Sequence, residues 1–244
     1  MKISTPFIGV DGCPFGWVSS YKEDQIKWKF AIFPTIEQLW YTFSNVKLIM
    51  IDIPIGLRDK GNEPRLCDKV ARKYLTRSRS SSIFPTPCRS ATYASSYIYA
   101  NVINRKLTGK GLSKQTWNIT SKIKEVDVLL RNDLKARQTL IESHPELCFS
   151  ALSNSTPMKH YKKTEAGINE RILVIESFCK NPKKILNKVI LQFSKKELSI
   201  DDILDAWILA ISGSKGRSNL RFVPDNFEYD SEGLPMRMAI PNFK

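Results

Sequence analysis

Four acidic residues of this chain lie at the end of an apolar segment or inside one, which is a costly position for a charged side chain. They are Asp11 after the segment 7–10, Asp52 after 48–51, Glu142 after 139–141 and Asp205 within 200–210. One such residue is usually an accident of topology, but four of them indicate a shared cation that compensates their charge. The sequence therefore predicts one site built from separate segments.

Carboxylates that cluster without a cation repel one another and raise one another's pKa. Mg²⁺ relieves this repulsion, since it binds oxygen ligands and keeps several waters, and an acidic set argues against zinc. Two such ions about 3.5–4 Å apart can activate a water and stabilise the leaving oxygen when a phosphodiester is cleaved. We therefore predict a Mg²⁺- or Mn²⁺-dependent nuclease with water as the nucleophile. The predicted catalytic residues are Asp11, Asp52, Glu142 and Asp205, and the predicted metal ligands are these four together with Asp202.

The composition predicts a polyanionic partner. The net charge is +14, from 38 Lys and Arg against 24 Asp and Glu, which gives a positive field. We expect DNA or RNA, because phosphate contacts supply much of the binding energy of nucleic acids. The alternative is that the positive charge only reflects a proteome generally rich in Lys and has no role in binding nucleic acid.

Cysteine usage and hydropathy predict a cytoplasmic protein without a membrane partner. The five Cys are scattered without metal-finger spacing, and no apolar run is long enough to span a bilayer. The first six residues lack the apolar stretch of a secretory signal, so we expect no export.

Apolar patterning predicts one α/β domain that begins with a strand meander. Strands over 7–11, 17–21 and 26–33 are joined by short turns, which is typical of antiparallel neighbours. The segment 46–53 is apolar on both faces, as in a central parallel strand. The other predicted elements are a helix at 36–43 capped by Thr35, a basic and mostly helical insertion at about 58–136 with a helix over 113–135, a strand at 137–142, and helices at 166–180, 182–195 and 199–213.

The predicted order β-β-β-α-β, followed by an insertion, resembles the RNase H-like arrangement. That fold class, the ribonuclease H superfamily, has a mixed sheet of three antiparallel strands followed by parallel strands, with helices on both faces. Its first and fourth strands would lie about 4.8 Å apart, so Asp11 and Asp52 would project from neighbouring strand ends. Glu142 would continue the row, and Asp202 and Asp205, three apart on a helix, would share one face.

Each acid also has a purely structural interpretation. Asp11 and Asp52 could cap turns, because Asp commonly does so. Glu142 could pair with Arg137, and Asp202 lies at a helix start, where negative charge is stabilising without a ligand. Convergence of these acids on one edge of the sheet favours the metal site over separate accidents.

Several motifs of the chain resemble a known family, the one named domain of unknown function 429. They are IGVDGCPFGWV at 8–18, IDIPIGL at 51–57, RLCDKVAR at 65–72, SSIFPTP at 81–87, ESHPE at 142–146, DDILDA at 201–206 and EGLPMRMAIP at 232–241. The resemblance implies a predicted nuclease of the RNase H fold. The segment 201–206 is also similar to the last acidic helix of RuvC-type Holliday junction resolvases, which implies that Asp11, Asp52 and the Asp202/Asp205 pair bind metal. One departure is that the second acid of RuvC is a Glu, whereas this chain has Asp52.

Arginines of the insertion suit phosphate recognition, because a guanidinium offers a fork of donors. We expect nucleic-acid contacts from Arg65, Arg72, Arg77, Arg79 and Arg89. The alternative is a helix pair of Asp68 with Arg72 and a solvated loop around Arg77 and Arg79. A homodimer would suit a branched substrate, although no residue pattern predicts one.

Two other functions stay open on the sequence. A catalytically silent nucleic-acid-binding module would keep the basic surface without turnover. A nucleotide-binding phosphotransferase of the sugar-kinase and actin type shares the underlying fold, but it needs two duplicated halves and Gly-rich phosphate loops. With 11 Gly in 244 residues, this chain fits that alternative poorly.

Overall fold

A five-stranded mixed sheet forms the centre of the protein, in a computed structural model that describes residues 5–24 and 27–242. Its strands are β1 Phe7–Cys13, β2 Gly16–Glu23, β3 Lys27–Phe33, β4 Leu48–Ile51 and β5 Leu140–Glu142. The strand order is β3-β2-β1-β4-β5, with antiparallel pairing among the first three strands of the chain. β4 and β5 run parallel to β1, so the polypeptide reaches the same edge at the end of each of these three strands.

Helices pack on both faces of this sheet and fill the long connection between β4 and β5. They are α1 Ile36–Phe43, α2 Leu66–Tyr74, α3 Thr76–Arg79, α4 Arg89–Thr92, α5 Tyr97–Thr108, α6 Lys114–Trp117, α7 Thr120–Asn132, α8 Leu134–Thr139, α9 Pro145–Leu152, α10 Glu165–Glu176, α11 Pro182–Ile190 and α12 Ile200–Gly213. Single 3₁₀ turns occur at Ser80–Ser82 and Arg217–Asn219. A separate antiparallel pair, β6 Leu220–Tyr229 and β7 Pro235–Pro241, follows α12. Within the described residues, no helix combines the length and the apolar character that crossing a membrane requires.

The predicted meander, the parallel fourth strand and the helical insertion are confirmed. Thr35 caps α1 as expected, since its side chain accepts a hydrogen bond from the Gln38 amide. The predicted third strand included Ile26, which lies outside the described residues. The mixed α/β class is therefore what the structure establishes.

The strand predicted at 137–142 is wrong over its first half. Asp133 caps α8 by accepting a hydrogen bond from the Ala136 amide at 2.8 Å, and helix continues to Thr139. Only Leu140–Glu142 pairs with β4. The helix predicted over 113–135 is likewise divided into α6, α7 and the start of α8, and the β6–β7 pair was not predicted at all.

Alternation along the strands divides the core into two layers. In β1, Ile8 and Val10 pack in the layer that holds α1 and α7, whereas Phe7 packs in the layer that holds α12. Gly9 lies beneath the backbone of α12, which packs across β1. Because successive side chains of a strand point to opposite faces, Asp11 lies on the α12 side.

Gly9 allows α12 to approach the sheet closely. A Cβ atom at this position would lie 2.2 Å from the Ala206 carbonyl oxygen and 2.2 Å from the Ala210 amide nitrogen. Both are helix backbone atoms, so the clash could be relieved only by moving the helix. The position of α12, and with it that of its acidic residues, therefore depends on a glycine in β1.

We expect Gly9→Ala to lower the free energy of unfolding by about 2–3 kcal/mol, because overpacking would push α12 away from β1. Gly12→Ala is the matched control on the same strand. Its Cβ would meet only the flexible Lys122 side chain, at 2.9 Å, so a smaller loss is expected. Urea unfolding of both variants measures the difference, and equal losses would contradict the close-approach argument.

Candidate metal centre

The ends of β1 and β4 bring Asp11 and Asp52 together. In the parallel register Val10 lies beside Ile51, and the Asp52 amide donates to the Val10 carbonyl oxygen at 3.0 Å. The residue after each member of this pair is an aspartate, on the face covered by α12. Two carboxylates thus leave neighbouring strands in the same direction.

Helix α12 supplies Asp205 from above the strand ends. The helix begins with a capping box, in which the Asp202 side chain accepts from the Ser199 amide and the Ser199 hydroxyl accepts from the Asp202 amide. This cap accounts for Asp202 structurally, and Asp202 does not line the cavity described below. Asp205 lies one turn further along, is 2% exposed and does line it.

Glu146 is the fourth carboxylate of the group, and it was not among the predicted ligands. Pro145 begins α9, and the His144 ring caps it by accepting from the Glu146 amide through Nδ1 at 3.2 Å. This cap directs the first turn of α9 toward the strand ends. Arg171 donates to Glu146 Oε1, whereas Oε2 lies buried on the other side of the carboxylate. The signal was present in the motif ESHPE, where Pro followed by Glu marks a helix start.

The prediction that Glu142 joins this group is corrected by the strand register. Glu142 pairs with Ile51, one residue before Asp52. Ile141 packs in the layer of α12 and Leu140 in the opposite layer, so Glu142 also faces away from α12. Glu142 therefore lies one residue too early in β5 to share the face of Asp52, and it is not part of the row of acids.

Glu142 instead anchors the insertion to the sheet. Its Oε1 accepts from Arg65 Nη2 at 2.7 Å, and its Oε2 accepts from Arg65 Nη1 at 2.8 Å and from the Ile55 amide at 2.7 Å. Arg65 also donates from Nη2 to Asp68 Oδ1 at 2.6 Å. All three charged side chains are buried, which is tolerable because each charge is paired and hydrogen-bonded.

The four carboxylates face a cavity of about 520 Å³. Asp11, Asp52, Glu146 and Asp205 all contribute to its lining. The same cavity is lined by three cationic side chains, Arg79, Lys122 and Lys162. Acidic and basic groups therefore share one concave surface, which is an arrangement suited to a metal ion together with an anionic ligand.

Burial and mutual repulsion raise the pKa of the three aspartates at the cavity, Asp11, Asp52 and Asp205. Burial is the main cause for Asp11, whose pKa lies well above its usual range, and the charges of Asp52 and Asp205 add to the effect. Burial raises the pKa of Asp52 to about 7 although Lys162 acts in the opposite direction. The pKa of Asp205 is raised in the same way. Such mutual destabilisation of charge is what a bound cation would relieve.

Two buried carboxylate oxygen atoms of the cluster are free to bind a hard cation. Asp205 Oδ1 and Glu146 Oε2 are buried and have no hydrogen-bond partner among residues 5–24 and 27–242. A buried carboxylate oxygen without a partner costs free energy that a ligand can recover. Both residues line the cavity, so the residues present fit a divalent cation bound by oxygen.

A more compact group of ligand atoms lies on the other side of the sheet. Cys67, Asp68 and Glu142 each offer an atom within 4.8 Å of the others, so this buried cluster could hold a metal ion. Among the described residues no other three acidic, Cys or His side chains come that close together, the cavity acids included. Arg65, however, already bonds both carboxylates, and burial raises the pKa of the Cys67 thiol well above its usual range. An ion there would have to displace a guanidinium that bonds both carboxylates, whereas two buried carboxylate oxygens at the cavity have no partner in the described part of the chain, so we take the cavity acids as the candidate centre.

The predicted arginine cluster is divided by the structure. Arg65 is 2% exposed and Arg89 is 9% exposed, and Arg89 pairs with Asp127 and Asp230. These two side chains stabilise the insertion and are not available to phosphate. Arg79 does line the cavity, where its Nε donates to the Met158 carbonyl oxygen at 2.7 Å.

Arg72 and Arg77 lie on the exposed surface of the insertion and do not line the acidic cavity. Arg72 donates to the Ile83 carbonyl oxygen. The cationic residues at the cavity that were not predicted are Lys122 and Lys162. Neither lies in a charge pattern that stands out from the many lysines of this chain.

A sequence model of the family described as "Protein of unknown function (DUF429)" matches residues 9–229. The chain belongs to the DUF429 family. The matched range of this DUF429 protein contains all four cavity carboxylates, from Asp11 to Asp205. No curated protein and no solved structure matches the chain.

Titration of Asp52 gives the metal-free protein a pH-dependent stability. Its pKa in the folded state is about 7, above the ordinary value of 3.8, so the folded protein binds this proton more tightly than the unfolded chain. The resulting stability is present at low pH and is lost as the pH rises toward 7. Between pH 5 and 7 this titration should make the free energy of unfolding of the wild type fall by up to about 1 kcal/mol per pH unit. We expect Asp52→Asn to lack this contribution to the slope. Urea unfolding in the presence of a chelator measures it, and equal slopes for both proteins would contradict the assignment.

Proposed function

We propose that this protein is a Mg²⁺- or Mn²⁺-dependent nuclease that hydrolyses phosphodiester bonds of DNA or RNA. The observation that carries the proposal is the convergence of Asp11, Asp52, Glu146 and Asp205 on one cavity. Unpartnered buried oxygens of two of these residues point to a cation as the missing neighbour. Oxygen-only ligands favour Mg²⁺ or Mn²⁺ over a softer metal.

We assign the five-stranded sheet to the RNase H-like class. The assignment is supported by the strand order β3-β2-β1-β4-β5 and by the change from antiparallel to parallel pairing at β1. It is supported further by the position of the acids at the ends of β1 and β4 and on α12. Because a fold by itself does not determine function, the proposal depends on the site.

The distribution of charge favours an anionic substrate. The chain carries a net charge of +14, although its candidate site is acidic. Arg79 and Lys122 line the same cavity as the carboxylates, and Lys122 lies over the ring of Trp17 with its Nζ 5.4 Å from the ring centre. These cations could hold phosphate oxygens while the acids hold metal, which is the division of roles that a polyanionic substrate requires.

In the proposed reaction, Asp11, Asp52, Glu146 and Asp205 would hold the cations. When bound, such ions lower the pKa of a water and stabilise the leaving oxygen. His144 would not act as the base, because both of its ring nitrogens are engaged, Nδ1 with the Glu146 backbone amide and Nε2 with the Ser82 carbonyl oxygen. Its role is to hold Glu146 in position.

We expect the protein to cleave at least one of single-stranded, duplex or branched DNA or RNA when Mg²⁺ or Mn²⁺ is present. Asp11→Asn should reduce the rate at least about 100-fold, because it removes a central ligand while keeping the shape of the side chain. Gel-based cleavage assays with and without chelator measure the effect. Cleavage by Asp11→Asn at the wild-type rate would contradict the proposed site. Binding without cleavage of any substrate would instead favour a silent binding module.

The assignment of Glu146 rather than Glu142 can be tested with a matched pair of substitutions. Both glutamates are buried and bonded to an arginine, and Glu142 accepts more hydrogen bonds than Glu146, so Glu142→Gln is a control that disturbs the fold at least as much as Glu146→Gln. Only Glu146 lines the cavity. We expect Glu146→Gln to weaken Mn²⁺ binding at least about tenfold and Glu142→Gln to leave it nearly unchanged, as measured by calorimetry. Loss of binding in Glu142→Gln alone would point to the Cys67–Asp68–Glu142 group.

A further inference from the structure

The ammonium group of Lys162 lies inside the carboxylate cluster. Its Nζ is 2.6 Å from Asp205 Oδ2 and 3.6 Å from Asp201 Oδ2. Burial acts to lower its pKa, but the charges of Asp205 and Asp11 outweigh burial and raise it, so this lysine stays protonated. Two of the four proposed metal ligands are therefore already bonded to a cation that belongs to the chain, Asp205 to Lys162 and Glu146 to Arg171.

The segment that carries Lys162 is held in place by α10. Glu170 accepts from the amides of Lys159 and His160 at 2.8 and 2.9 Å, and Arg171 donates to the His160 carbonyl oxygen at 3.3 Å. A Cβ at Gly167 would lie only 2.0 Å from the Tyr161 carbonyl oxygen, so the segment packs directly on the helix backbone. The lysine is thus presented to the cluster by fixed backbone.

The cluster still has carboxylate oxygens that can bind a divalent ion, but binding there would be affected by the Lys162 ammonium. Lys162 occupies Asp205 Oδ2, whereas Asp205 Oδ1 and Glu146 Oε2 have no partner in the described part of the chain. A divalent ion bound at Asp205 Oδ1 would lie beside the ammonium that is bonded to Oδ2 of the same carboxylate, and like charges at such a distance repel strongly in a buried site. The ion would bind well only if the ammonium moved away from Asp205.

We propose that Lys162 is a built-in competitor for the divalent cation, bonded to Asp205 in the metal-free protein and displaced when the ion binds. The inference rests on the proposed metal centre and adds a control on its occupancy. The carboxylates are neutralised in part while no metal is present, which lets the acids stay clustered. The same contact lowers the affinity for the ion, since Asp205 must exchange one cation for another.

The test compares Mn²⁺ binding to the full-length wild type, to Lys162→Met and to Lys163→Met, by calorimetry. Lys163 is the matched control, because it is the adjacent residue, is more exposed and lies 3.9 Å from Asp201. We expect Lys162→Met to bind Mn²⁺ at least about tenfold more tightly than the wild type, and Lys163→Met to change the affinity less than about twofold, as screening of an exposed charge predicts.

Unchanged affinity in Lys162→Met, or an equal rise in Lys163→Met, would overturn the inference while leaving the metal centre intact. If neither the wild type nor Lys162→Met binds Mn²⁺, the proposed function fails, and the inference fails with it. These outcomes separate the two claims.

A second measurement uses the wild-type protein alone, in case Lys162→Met does not fold. Lysine acylation followed by peptide mass spectrometry reports how accessible each ammonium group is. Saturating Mg²⁺ should increase the labelling of Lys162 at least about threefold and leave that of Lys163 unchanged. Labelling of Lys162 that does not rise with Mg²⁺ would overturn the displacement.

Discussion

Repulsion among buried carboxylates is the constraint on which the candidate site depends. Parallel pairing of β1 with β4 forces Asp11 and Asp52 to the same edge and the same face, and α12 closes over them with Asp205. Burial then raises the pKa of each acid, because charge is poorly solvated there and the neighbours have the same sign. Lys162 compensates only part of this charge and leaves Asp205 Oδ1 and Glu146 Oε2 without a partner in the described part of the chain, which is why we interpret the arrangement as a metal centre.

Buried acids elsewhere in the protein show how this chain compensates charge when no ligand is needed. Glu142 is bonded by Arg65 through both of its oxygens, and Asp127 is bonded by Arg89 in the same way. These pairs attach the insertion to the sheet and to α7, so they have a structural role. In the cavity, by contrast, the partner of Asp205 is a lysine that bonds one of its oxygens and leaves the other without a partner. The carboxylate of Asp205 is thus only partly paired, and this distinguishes the candidate centre from the structural ion pairs.

The sequence was sufficient for the parts of the fold that periodicity determines. The meander, the central strand β4 and α12 follow from apolar patterning, and three of the four cavity acids follow from their position after or within those segments. The error at Glu142 came from register, because one residue decides which face of a strand a side chain occupies. Sequence patterning predicts that a strand exists more reliably than where it begins, and the start of β5 was misplaced because α8 extends to Thr139. Lys162 could not be predicted, since it reaches the cluster from a segment without regular structure whose position depends on packing against α10.

A crystal structure of the protein soaked with Mn²⁺ would test the central claim most directly, through the anomalous signal of the ion. We predict a peak in the cavity, within about 2–2.5 Å of carboxylate oxygens that include those of Asp205 and Glu146. We also predict that the Lys162 ammonium has moved away from Asp205. A cavity without a peak at saturating Mn²⁺, or a peak at Cys67, Asp68 and Glu142 instead, would contradict the account.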